Sequence, residues 1–157
     1  ISPWIVTLEA LDQFRFPGPD QNPEVLPYLK YNGKKNYNIE LEVSIKPENS
    51  MDQVVAKSNF KYLYWNMVQQ LTHQSVSGCN INVGDLYGSG TISGKTPDSY
   101  GSMLELSWMG TKPIKMKNGS KRKFLNDGDT MTFRGFSQKK GQRVGFGELA
   151  TKILPAK

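Results

Sequence analysis

After the dipeptide Gly84-Asp85, turn-forming residues interrupt the chain so often that no long helix fits: Asn118-Gly119, Asp127-Gly128-Asp129 and Lys140-Gly141 follow in succession. Glycine tolerates positive φ, and Asn and Asp hydrogen-bond their own backbone, so each marker favours a chain reversal. The pieces between them are short and β-like: Leu86 to Ser93, Ser102 to Trp108, Ile114 to Met116, Lys123 to Leu125, Thr130 to Phe136 and Arg143 to Ile153. Short strands with regular turn punctuation predict an antiparallel, curled or barrel-like sheet.

The first half adds one more strand and the helices. Ile39, Leu41, Val43 and Ile45 alternate with Glu40, Glu42, Ser44 and Lys46, the pattern of a strand with one buried and one wet face. In "SNFKYLYWNMVQQLTHQSVSG", Phe60, Leu63, Tyr64, Met67, Val68 and Leu71 fall on one helical face, which predicts a long helix capped by Ser58 or Asn59 and ended at Gly78. Residues 7–14 predict a short helix capped by Thr7, and four prolines between Pro17 and Pro27 force an irregular loop after it. The fold class is mixed α+β, mainly β: a curled β-roll or barrel-like sheet with one long packed helix.

With 157 residues and 37% hydrophobic content, the chain suits one compact unit or part of a larger one. The apolar opening Ile1-Ser2-Pro3-Trp4 suggests a strand already under way, and hence a chain that continues upstream. No membrane span or signal segment is visible, so a cytoplasmic protein is expected. A single cysteine, Cys79, excludes an internal disulfide and any CxxC metal site. The net charge of +6 is largely local. Lys112, Lys115, Lys117, Lys121, Arg122 and Lys123 surround Asn118-Gly119, and Lys139, Lys140 and Arg143 surround Gly141. Both clusters read as solvated hairpin tips on type I′ turns, because no base-stacking aromatics accompany the lysines. Nucleic acid is therefore a disfavoured partner, and a non-enzymatic basic module is the alternative of a different class.

Among residues that carry chemistry, Glu40 and Glu42 could face a divalent cation from one side of a strand, but they occupy its ordinary wet phase. His73 stands alone, so no multi-histidine metal site can form within the chain. Gly88, Gly90 and Gly94 alternate with Ser89, Thr91 and Ser93, giving close backbone approach and hydroxyl donors without the pattern of a phosphate loop. Glu105 is a carboxylate inside the apolar run Met103-Leu104-Glu105-Leu106-Ser107-Trp108. As a strand, that run predicts Glu105 on one face with Met103 and Ser107, and such placed acids concentrate at functional sites.

The strings "SPWIV", "SNFKYLYWNMVQQLTHQSVSGCN", "GDLYGSGTISG", "GSMLELSW", "GTKPI" and "KFLNDGD" resemble the carboxy-terminal part of the fumarylacetoacetase family over essentially the whole chain. The resemblance implies that residues 1–157 are the carboxy-terminal part of a catalytic domain. It places the rest of that domain and an SH3-like amino-terminal domain upstream. It also implies a homodimer that hydrolyses a carbon–carbon bond of 4-fumarylacetoacetate, a small diketo acid. A related hydrolase or decarboxylase of another dicarbonyl substrate is the alternative within that superfamily. The divalent metal, calcium or magnesium, is then bound by residues upstream, with no metal ligand in this chain, and Glu40, Glu42 and His73 match positions that do no chemistry. Two residues are implied in the site: Thr91 as a substrate contact, and Glu105 as the carboxylate that orients and charge-stabilises a histidine supplied from upstream.

Overall fold

The computed structural model describes residues 1–156. Its centre is an open antiparallel sheet in the order β4-β3-β7-β8, built from β3 (Glu40–Lys46), β4 (Gln53–Asn59), β7 (Thr130–Lys139) and β8 (Gln142–Lys152). Two small ribbons flank it: β1 (Arg15–Phe16) with β2 (Asn36–Tyr37), and β5 (Ile114–Lys115) with β6 (Lys121–Arg122). Strand outweighs helix, as expected. The sheet does not close into a barrel, because β4 and β8 stand at its edges.

The alternation in β3 becomes two faces. In the register Val43 opposes Ala56 on β4 and Phe133 on β7, and Phe133 opposes Leu149 on β8, so these side chains share the apolar side. Leu11, Phe14, Tyr37 and Ile39 form the buried core cluster, with Val6, Leu41, Phe60, Val144 and Phe146 packed against it. The opposite face of β3 is polar but not simply wet. Ser44 is buried and donates to Asp52 at 2.8 Å, and the Arg134 guanidinium lies among Glu42, Asp52 and Glu148.

The predicted long helix is realised only in its second half, as the ten-residue α2 (Met67–Val76). The stretch up to Asn59 belongs to β4, which the helical reading absorbed in part. Asn59 caps a short 3-10 helix, Phe60–Tyr62, by accepting from Lys61 N–H. The cap of α2 is Asn66, whose side chain accepts from Gln69 N–H while the Gln69 side chain accepts from Asn66 N–H, a reciprocal capping box. Gly78 follows with φ 90°, as the helix end requires. The face that α2 buries is not the apolar stripe. Gln69 is buried, donating to the Leu29 carbonyl at 2.8 Å and to Gln21 at 2.9 Å, and so ties the proline-rich loop to the helix. Met67, Val68 and Leu71 remain more than a third exposed.

The first helix forms as α1 (Leu8–Leu11), with Thr7 accepting from Ala10 N–H. Residues 86–93 form no strand, and the expected strand at 102–108 is instead the helical turn α3 (Met103–Leu106). Lys123 to Leu125 is likewise not a strand, since the ribbon pairs at Lys121–Arg122. The two lysine-rich tips use different turns. Lys140 and Gly141 both have positive φ, 48° and 79°, as a type I′ turn demands, whereas at the other tip only Gly119 does, and Gly119 N–H closes on the Met116 carbonyl. Among the described residues no helix is long and apolar enough to cross a membrane.

Candidate active site

The segment from Ser89 to Ser102 is irregular in backbone apart from a single 3-10 turn, Pro97–Ser99, and is fixed by hydrogen bonds. Ser58 on β4 donates to the Ile92 carbonyl at 2.6 Å, and Gly94 N–H donates to the Ser99 carbonyl at 2.9 Å. Two glycines allow this packing. A Cβ on Gly94 would collide with Ser99 and Tyr62, and one on Gly101 would stand 2.7 Å from the Ile92 carbonyl oxygen. Of the three glycines singled out in the sequence only Gly94 is tightly packed, since Gly88 and Gly90 face open space, and Gly101 is a close approach not foreseen.

Thr91 lies exposed on the wall of an open, mainly apolar cleft of about 530 Å³, whose other walls include Leu41, Val43, Phe60, Phe133 and Phe146. It also borders a smaller pocket of about 290 Å³ formed with Tyr62 to Trp65. Its hydroxyl is thus available at the junction of two cavities.

Glu105 sits behind that segment, half-buried on α3 rather than on a strand face. The reason is the sequence Ser102-Met103-Leu104-Glu105, a helix-start pattern of Ser followed three residues later by Glu. Ser102 Oγ accepts from Glu105 N–H at 3.3 Å and donates to Glu105 Oε2 at 2.8 Å. Ser93 Oγ lies 2.8 Å from Oε1 and 2.9 Å from Oε2. The carboxylate is therefore aimed by two neutral hydroxyls. Since a carboxylate offers about four lone-pair sites, Glu105 can accept a further N–H. Ser93, which receives Gly101 N–H at 3.1 Å, joins the Thr91 segment to Glu105.

The other candidates have partners of their own, although Glu42 also lines the large cleft with Thr91 and His73 borders a pocket with Ser89 and Trp65. His73 Nδ1 and the Tyr28 hydroxyl are 3.1 Å apart, and the two rings stack at 6.3 Å. Glu42 faces Arg134 at 3.6 Å and Lys57 at 3.7 Å, so its charge is already met by cations. Among the described residues no group of three or more His, Cys, Asp or Glu is placed to hold a metal ion. By themselves, the donors among the described residues do not form a divalent-metal site. Cys79 is exposed and free.

The family model described as fumarylacetoacetate (FAA) hydrolase C-terminal matches residues 1–154. The chain is 54% identical over 157 residues to the fumarylacetoacetase of Homo sapiens, covering 99% of this chain and 38% of that protein. It is 52% identical over 157 residues to the fumarylacetoacetase of Arabidopsis thaliana, covering 99% of this chain and 37% of the relative. To that of Caenorhabditis elegans it is 49% identical over 158 residues, with the same coverage of 99% and 37%. The chain thus spans less than two fifths of the length of these relatives. Since the family model runs along nearly the whole sequence, and the open sheet with its short helices accommodates it, the chain belongs to the fumarylacetoacetate hydrolase C-terminal family.

Proposed function

We propose that this chain is the carboxy-terminal part of the catalytic domain of a hydrolase that splits 4-fumarylacetoacetate into fumarate and acetoacetate, the last step of tyrosine breakdown. The observation that carries the reading is the Glu105 carboxylate, oriented by Ser93 and Ser102 directly behind the Thr91 wall of the cleft. In a water-activating site, a histidine from the rest of the polypeptide removes a proton from water. Glu105 accepts the N–H on the other side of the imidazole, fixes its tautomer and stabilises the imidazolium that forms. The hydroxide adds to a substrate carbonyl carbon, the carbon–carbon bond breaks, and the electron pair leaves as the enolate of acetoacetate, which is then protonated. Thr91 donates its hydroxyl to a carboxylate or carbonyl oxygen of the bound diketo acid.

Calcium or magnesium, in this reading, is held by acids outside this chain, and the working unit is a homodimer. The large apolar cleft supports the division of the site, since Leu41, Val43 and Phe133 line an open surface suited to the remainder of the same domain. In the complete enzyme, Glu105→Gln is expected to lower kcat by about 100-fold or more with KM little changed, and Thr91→Val to act mainly on KM. Following loss of the diketone absorbance checks both. Wild-type kinetics in either variant removes that residue from the site, and a faster reaction with another dicarbonyl acid would reassign the substrate.

A further inference from the structure

We propose that Ser93 and Ser102 are positioning residues for Glu105, and that Ser93 makes the aim of this carboxylate depend on the segment carrying Thr91. The proposal rests on the reading of Glu105 given above. A hydroxyl has one proton and two lone pairs. Ser93 Oγ lies 2.8 and 2.9 Å from the two Glu105 oxygens, towards which it donates its one proton, and a lone pair accepts Gly101 N–H at 3.1 Å. The hydroxyl is thereby held from both sides. Ser102 has the same double role, donating to Oε2 at 2.8 Å and accepting the Glu105 N–H at 3.3 Å. Among the described residues no Lys, Arg or His forms an ion pair with Glu105, so hydroxyl geometry sets the direction of its carboxylate.

The link to the cleft runs through three consecutive residues. Thr91 faces the cavity, the Ile92 carbonyl is pinned by Ser58 at 2.6 Å, and Ser93 reaches Glu105. Gly101 closes the loop: its N–H binds Ser93, and the Thr91 methyl and Ile92 carbonyl pack against its Cα. A substrate that draws on the Thr91 hydroxyl therefore acts on the same short segment that aims the carboxylate. Contact with substrate and orientation of the acid are coupled over a few bonds.

The test is a kinetic cycle in the complete, metal-loaded enzyme. Ser93→Ala and Ser102→Ala are each expected to lower kcat about 10-fold with KM within about twofold, the loss of one charge-assisted hydrogen bond felt in the transition state. In a Glu105→Ala background, neither serine substitution should lower kcat further, because the group they aim is gone. Thermal unfolding of each variant separates this from misfolding. If Ser93→Ala fails to fold, the kcat-against-KM split and the cycle for Ser102→Ala decide. Unchanged kcat in folded Ser93→Ala and Ser102→Ala, with Glu105→Ala impaired, overturns the proposal alone. An equal drop in the presence and absence of Glu105 also overturns it, since the serines would then act only as loop staples. Wild-type kcat in Glu105→Ala removes the role of Glu105 itself, and the proposal with it.

Discussion

A single proton on Ser93 and a missing Cβ on Gly101 decide whether the candidate site keeps its shape. Gly101 has ordinary φ, so its constraint is space and not backbone conformation: a methyl group there meets a carbonyl oxygen that Ser58 holds in place. Gly101→Ala is expected to push the Thr91 segment outward and to raise KM in the complete enzyme several-fold while the protein stays folded; steady-state kinetics beside a melting curve checks this. Away from the site, Arg122 and Asp129 form a bidentate pair at 2.7 and 2.8 Å, with the carboxylate side chain only 1% exposed. Removing one partner strands a buried charge. Arg122→Met is expected to cost about 3–5 kcal/mol in a denaturation titration, far more than loss of the exposed Lys30–Glu24 pair, which belongs to a class worth about 0–1 kcal/mol. Thr91 and Glu105 stood out in the sequence as candidates, but the connection between their segments did not. It passes through Ser93 and Gly101, whose roles depend on two loops meeting in space.

At the scale of elements, alternation translated most directly, because a period of two is needed wherever a strand has one buried side. The strand around Val144 follows it in burial, whereas on β3 and β7 the side chains keep two faces but Ser44 and Thr132 are buried and Phe133 is exposed. The two helical misreadings had local causes. Apolar residues at 60, 63 and 64 fit a helical period, yet β4 takes up the chain to Asn59, and the capping box Asn66–Gln69 starts the helix later. In the other direction, Leu104-Glu105-Leu106 alternates like a strand, while the Ser102 to Glu105 spacing fixes a helical turn. Capping chemistry outweighed hydrophobic period in both. Asn66→Ala is accordingly expected to lower stability by about 1–2 kcal/mol, read as a shift in the denaturant midpoint. At the β7–β8 tip, Lys140 occupies a positive φ of 48° that favours Asn. Lys140→Asn should raise stability by about 0.5 kcal/mol, read as a higher denaturant midpoint.

For the whole molecule, acid is the condition most telling about the buried pair. Burial alone would raise the Asp129 carboxyl, but the Arg122 guanidinium, the Asn126 N–H and the Arg122 charge together hold it below the usual carboxylate range. A depressed folded-state value means that its contribution is complete above the unfolded value of about 3.9 and is lost as pH falls through the folded one. Stability should therefore decline with acid below about pH 4, and Asp129→Asn should flatten that limb of a pH series of denaturant titrations. Sequence likeness carries the family assignment over nearly the whole chain. The open face of the sheet carries the expectation that the 157 residues alone give no turnover, which an assay of the isolated chain checks.

The polar face of the sheet adds a sensitivity that the Glu105 arrangement lacks. Arg134 is about a third exposed and meets Glu42 and Asp52 only at 3.6 Å, so those two attractions act through space and are open to ions from solvent. At about 1 M ionic strength the screening length falls to about 3 Å, shorter than those separations. Concentrated salt should thus loosen the grip of Arg134 on β3 while leaving the hydroxyl contacts around Glu105 as they are. Ionic strength becomes a dial that acts on the polar face of the sheet and passes over the acid on α3, so that a salt titration can weaken the scaffold without re-aiming Glu105.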